Sequence, residues 1–148
     1  MREFHGRCHC GNVTYVLRWP LDGNLSARRC TCSFCTKQGS LYLGHPDAAL
    51  AVRIADLQGL FRYRFGTKTA DFCFCSKCGV FLFVTSVTDD RLFAVLNINS
   101  LDDVPSHVEV EPRNFGEETL EERLARRRRG WIANVTMTQL EKDREQFY

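Results

Sequence analysis

The sequence predicts a mainly β fold with one short C-terminal helix. Three observations predict it. Several runs alternate apolar and polar residues, glycines punctuate those runs at near-regular intervals, and a single stretch carries the charge order of a helix. Many short strands separated by turns indicate a mostly antiparallel β domain.

The strands follow in order. In residues 12–19, Val13, Tyr15, Leu17 and Trp19 share one face, with Thr14 and Arg18 on the other. Residues 49–54 read as a strand. Residues 60–65 alternate Phe61, Tyr63 and Phe65 against Arg62 and Arg64. Residues 80–87 and 92–98 are rich in the β-branched and aromatic side chains that fit a pleated surface. Gly11, Gly23, Gly44, Gly59, Gly66 and Gly79 mark the turns. The helix is expected over 117–129, EETLEERLARRRR, with its acids first and its arginines last, as the helix dipole favours. Leu120 and Leu124 give it an apolar edge.

A chain of 148 residues is long enough for one domain with a real core, placed here at 1–137 and followed by a polar tail at 138–148. The formal charge of +2 is too small to imply a polyanion partner by itself. The start, MREFHGRCHC, lacks the apolar region of a signal peptide, and no apolar run is long enough to span a membrane. A soluble cytoplasmic protein with no membrane partner is expected.

Eight cysteines are many for such a chain, and they fall in three tight groups: Cys8 and Cys10; Cys30, Cys32 and Cys35; Cys73, Cys75 and Cys78. A disulfide framework spreads its cysteines to staple distant loops. Gaps of one and two residues suit multidentate metal ligation instead, and thiolate sets of this kind take zinc. Cys8 and Cys10 lie two apart before a strand, so in extended chain both point to one side. Cys75, Cys78 and the following Gly79 read as a knuckle, a tight turn that aims both sulfurs at one metal. These four make a closed tetrahedral site, a structural zinc. CTCSFC, residues 30–35, then offers three corners of a second site. A zinc with three protein ligands keeps a position for water or substrate, which is the catalytic pattern. A substrate thiol suits it, because zinc lowers the pKa of a bound thiol.

Other residues carry weaker signals. Cys73 has three readings: fourth sulfur of the second site, buried thiol acting as a small hydrophobe, or reactive thiol nearby. In extended chain it projects to the same side as Cys75, which counts against the first reading. His45, after the strand-like SLYLG, is the histidine best placed to complete the second site or to act as a base, with packing as the competing reading. Phe34, between two ligands, lines a pocket or packs the loop down. The arginines at 126–129 suit nucleic acid or an anionic ligand. The favoured reading is a solvated helix end paired with Glu121 and Glu122, since no aromatic stacking pattern accompanies the run. Nucleic acid is therefore not an expected partner.

G-x-C-H-C-G-x-V at residues 6–13, C-x-C-S-x-C at 30–35 and F-C-x-x-C-G at 74–79 resemble the glutathione-dependent formaldehyde-activating (GFA) family, whose domain centromere protein V shares. The three motifs keep their order and separations, and the resemblance covers residues 4–103. It implies a β-tent fold of zinc-bound antiparallel sheets, with one structural and one catalytic zinc ion. It also implies a carbon–sulfur lyase activity, the formation or cleavage of S-hydroxymethylglutathione from formaldehyde and glutathione. The implied division of sites is the one reached above: Cys8, Cys10, Cys75 and Cys78 structural, Cys30, Cys32 and Cys35 catalytic. Glutathione has two carboxylates, and Arg28 and Arg29, just before Cys30, are placed in sequence to clamp them, with an exposed loop as the competing reading. The alternatives to an enzyme are a non-catalytic zinc-stabilised glutathione carrier and a nucleic-acid or protein interaction module. Two features depart from the family. Cys73 is outside its pattern, and the region after Asp103, where members have a short final strand and a Trp, here carries the arginine-rich helix before Trp131.

Overall fold

The computed structural model describes residues 1–140. Strands, numbered along the chain, form two sheets. The first has the order β1 (Arg2–Arg7), β2 (Val13–Trp19), β5 (Ala49–Ile54), β11 (Asn134–Gln139). The second has seven strands: β10 (Glu109–Arg113), β3 (Ser26–Cys30), β4 (Tyr42–Leu43), β9 (Arg91–Asn97), β8 (Phe81–Thr88), β7 (Asp71–Cys75) and β6 (Leu60–Tyr63). The mainly β expectation holds, and the runs at 12–19, 49–54, 80–87 and 92–98 appear as β2, β5, β8 and β9.

Pairing is antiparallel except at one edge of each sheet, where β10 runs parallel to β3 and β11 parallel to β5. A parallel neighbour needs a crossover connection. Both of these strands come late in the chain, after long excursions. The expectation at 60–65 needs correction. β6 stops at Tyr63 and is an outer edge, so its aromatic face is left open: Phe61 is 54% exposed and Tyr63 42%.

Between the sheets lies the main core. Val13, Tyr15 and Leu17 of β2 stand opposite Ile54, Val52 and Leu50 of β5, all buried. They meet Phe83 of β8 and Ala94 and Leu96 of β9. The alternate residues of β8 and β9, Val84, Phe93 and Val95, belong to a second apolar cluster on the other face of the seven-stranded sheet. These two strands are therefore buried on both sides, and the second face is where the helices sit.

Helix α1 (Ser33–Gln38) has six residues, too few for a periodic signal. Helix α2 (Leu120–Gly130) starts three residues later than expected, because Thr119 caps it. The Thr119 hydroxyl accepts from the Glu122 N–H, and the Glu122 carboxylate accepts from the Thr119 N–H, a capping box. Its leucines do not anchor it: Leu120 is 48% exposed, and the buried residue of the helix is Arg127. β11 takes in Thr138 and Gln139, the first residues of the expected polar tail. The tail from 141 onward lies outside the described residues. No helix among the described residues is long and apolar enough to cross a membrane.

Candidate metal centre and cavity

Two hairpin turns build the first cysteine group. After β1, the Cys8 N–H donates to Val13 O (2.9 Å) and the Gly11 N–H to Cys8 O (3.2 Å). After β7, the Cys75 N–H donates to Val80 O (2.9 Å) and the Gly79 N–H to Cys75 O (2.7 Å). Each turn thus closes from a cysteine to the residue five further on. Gly11 and Gly79 have φ of 82° and 80°, a left-handed conformation that other residues avoid. A Cβ there would meet nothing, so backbone conformation and not crowding asks for glycine. The turns bring the sulfurs of Cys8, Cys10, Cys75 and Cys78 within 4.8 Å of one another. Cys8 Sγ lies 3.7 Å from Cys10 Sγ, which lies 3.6 Å from Cys75 Sγ. Four sulfurs about 2.3 Å from a tetrahedral zinc are about 3.8 Å apart, so the donor set fits that ion. Burial works against ionisation of Cys78, but N–H groups of Cys10 and Val80 and hydrogen bonds from Cys75 and Cys10 bring its thiol down to about 6.

The second group uses a strand end and a helix cap. Cys30 closes β3, Cys32 is the N-cap of α1, and Cys35 lies in the first turn of that helix. The Cys35 N–H donates to Cys32 Sγ (3.4 Å), as an N-cap requires. Gly39 ends the helix with φ 61°. The three sulfurs lie within 4.8 Å of one another. The hydrogen bond from Cys35 lowers the Cys30 thiol to about 6; the Cys32 N–H and the Arg126 charge help, and burial opposes. Cys35 is pushed up by that same hydrogen bond and by burial. Its sulfur also lies 3.0 Å from the Tyr42 hydroxyl, which accepts from the Ser40 hydroxyl at 2.9 Å. Burial, then the Cys35 charge, pushes Tyr42 above its usual range, so the phenol keeps its proton.

This three-sulfur group opens on a cavity of about 300 Å³ on the second face of the seven-stranded sheet. Val84, Val95 and Phe72 form its apolar side, and Phe115, Arg126 and Trp131 close it from the α2 side. Phe34 is outside the cavity lining and packs behind it, with ring centroids 5.0 Å from Phe65 and 4.9 Å from Phe72, which holds the CTCSFC loop down.

Residues 3–117 match the family described as glutathione-dependent formaldehyde-activating enzyme (GFA). The chain belongs to this family. The chain is also similar to a Rhodobacter sphaeroides protein known from its crystal structure, with 29% identity and a TM-score of 0.53. That likeness covers 72% of this chain and 99% of the other.

All seven clustered cysteines lie inside the GFA match, whereas α2 and Trp131 lie beyond its end. The residues read as candidates distribute unevenly. The two cysteine groups assemble as expected from spacing. Cys73 joins neither. It sits between Arg62 of β6 and Phe83 of β8 in the main core, is fully buried, and its thiol is pushed up to about 12 chiefly by burial. It is a packing residue. Arg28 lines the cavity, with Nη2 held by the carbonyls of Gly44 (2.9 Å) and Gly130 (2.8 Å). Arg29 is exposed and outside the cavity lining. His45 is not brought to the cavity. Its ring meets Trp19 edge-on at 5.4 Å and its Nδ1 accepts from the Asp47 N–H.

The arginine run is the solvated end expected from sequence only at Arg128 and Arg129, which are exposed. Arg126 pairs with Glu118 (2.6 Å) and lies over the Phe115 ring at 3.6 Å, Arg127 is buried, and Arg128 pairs with Asp89 (2.8 Å). Glu121 and Glu122 make none of these ion pairs. Tyr42 was missed altogether, because a tyrosine in a two-residue strand carries no distinguishing signal. The T-x-x-E of the capping box was legible at 119–122.

Proposed function

We propose that the protein is a zinc-dependent carbon–sulfur lyase of the GFA type, acting in the cytoplasm on glutathione or a related thiol adduct. The observation that carries this reading is the unequal pair of cysteine groups. One gathers four sulfurs between two hairpin turns, and the other gathers three at the mouth of a cavity. Cys8, Cys10, Cys75 and Cys78 would hold a structural zinc, and Cys30, Cys32 and Cys35 the catalytic one. Zinc at the second group supplies stabilisation of a thiolate on an incoming thiol.

The reaction joins thiol and aldehyde. A sulfur–carbon bond forms as the carbon–oxygen double bond becomes single, the thiol gives up its proton, and the oxygen takes one up. Cleavage runs the same steps backward. The chain's own residues then have definable tasks. Cys32 fixes its sulfur through the helix cap. Tyr42 keeps its proton at its hydroxyl beside Cys35, with Ser40 donating to it, and positions the Cys35 sulfur. Trp131, Phe115 and Phe72 exclude water. Arg28 keeps the C-terminal end of α2 against β3 and the 44–45 turn.

A pair of substitutions tests the division. Cys32→Ser is expected to abolish turnover of formaldehyde and glutathione while leaving circular dichroism and melting close to wild type. Cys75→Ser is expected to unfold the protein, as loss of a structural zinc ligand does. Equal, modest loss of stability in both variants would contradict the division. Glutathione binding without accelerated adduct formation would point to a carrier.

A further inference from the structure

We propose that Arg127 is the anion-recognising residue of the cavity, so that the site takes a thiol whose far end carries a carboxylate. The proposal rests on the reading of the three-cysteine group as a thiol site, and it names the class of thiol.

Four arginines line the cavity, Arg28, Arg123, Arg126 and Arg127, and no Asp or Glu among the described residues does. Three have their charge or donors engaged. Arg28 serves the carbonyls of Gly44 and Gly130. Arg123 and Arg126 share Glu118, at 3.5 and 2.6 Å. Arg127 differs. It is only 4% exposed and makes no ion pair among the described residues. Its contacts are to neutral groups. Nη1 donates to Thr69 O (3.2 Å), Thr69 Oγ1 (2.9 Å) and Ser86 Oγ (3.0 Å), and the guanidinium carbon lies 5.0 Å from the Trp131 ring. Its buried Nε has no partner.

A buried guanidinium without an ion pair is destabilising, and its place in the cavity wall leaves it a way to be compensated. An anion entering the cavity supplies a direct partner for that charge. Thr69 and Ser86 hold the guanidinium in place beforehand, so little side-chain entropy is lost on binding. Ala70, Val84, Val95, Phe65, Phe72 and Trp131 supply an apolar stretch of wall, which suits an uncharged spacer between the sulfur and the anionic end. A volume of about 300 Å³ encloses that much and little more. Arg127 lies beyond residue 117, where the family match ends, so this recognition is a property of the added helix and not of the shared domain.

The test is calorimetric titration of the zinc-loaded protein with two thiols of equal length, 3-mercaptopropionate and 3-mercapto-1-propanol. Zinc content is measured alongside. Wild type is expected to bind the acid about tenfold or more tightly than the alcohol. Arg127→Met is expected to erase that preference while keeping zinc and its affinity for the alcohol, and Arg127→Lys to retain part of it. A wild type indifferent to the carboxylate overturns the proposal, and this comparison needs no variant to fold. A preference that survives in Arg127→Met overturns it too. Loss of zinc together with both thiols in Arg127→Met would assign the arginine to the metal group and overturn it as well. If neither thiol binds zinc-loaded wild type, the thiol-site reading itself fails and the proposal falls with it.

Discussion

Tyr42 shows how one residue changes the chemistry of the second cysteine group. Its hydroxyl lies 3.0 Å from Cys35 Sγ, takes a hydrogen bond from Ser40, and keeps its proton because burial disfavours the phenolate. Removing an outer partner of a metal-ligand side chain typically costs 10- to 100-fold in affinity or activity, and Tyr42→Phe is expected to lose turnover by about that much. Steady-state kinetics with an unchanged melting curve would bear this out, and wild-type rates would show that the Tyr42 hydroxyl does not support the Cys35 sulfur. Spacing alone made the cysteines legible, since gaps of one and two residues place sulfurs on one side of a short segment whatever the fold. It also pointed Cys73 away from the second group, and the structure buries that thiol in the main core. Spacing said nothing of Tyr42, which reaches Cys35 only because β4 pairs with β3 and β9. His45 illustrates the reverse case. It is near the site in sequence and packed on Trp19 in space.

At the scale of elements, α2 is held by ions more than by apolar surface. Glu118, just before the helix, bridges Arg123 and Arg126, and the Arg123 guanidinium also reaches Phe115 O at 2.9 Å. Burial raises the Glu118 pKa, but the Arg126 hydrogen bonds and the Arg126 and Arg123 charges outweigh it and hold the carboxyl below its usual range. A depressed carboxyl stabilises the fold above its unfolded pKa and loses that contribution as pH falls through its folded value. Glu118→Gln is therefore expected to cost about 1.5–3 kcal/mol at neutral pH. Chemical denaturation should show the gap to wild type closing below the ordinary carboxylate range. A gap independent of pH would mean that the ion pairs do not fasten the helix. The acids-first, arginines-last order located α2 correctly, but partners 8 to 58 residues apart in sequence were invisible to it. The same limit hid the parallel pairings of β10 and β11, which depend on where the chain returns.

At the scale of the molecule, the seven-stranded sheet has two unlike faces. One packs on the four-stranded sheet, and the first cysteine group sits where the β1–β2 turn of that sheet meets the β7–β8 turn of the larger one. The other face carries α1, the aromatic cluster and α2, and between them the cavity of about 300 Å³. Alternation along β2 and the β-branched and aromatic runs of β8 and β9 made the first face readable. The second face is assembled from short or late elements, and its arginine-rich cover lies beyond the family match. The central claim is that one site is complete in sulfur and the other is one ligand short. Zinc K-edge X-ray absorption on the zinc-loaded protein measures it directly. Four sulfurs at one site and three at the other average to about 3.5 per zinc. That value is expected without substrate, with a rise toward 4 when a thiol is added. Four sulfurs per zinc in the absence of thiol, unchanged by its addition, would contradict it.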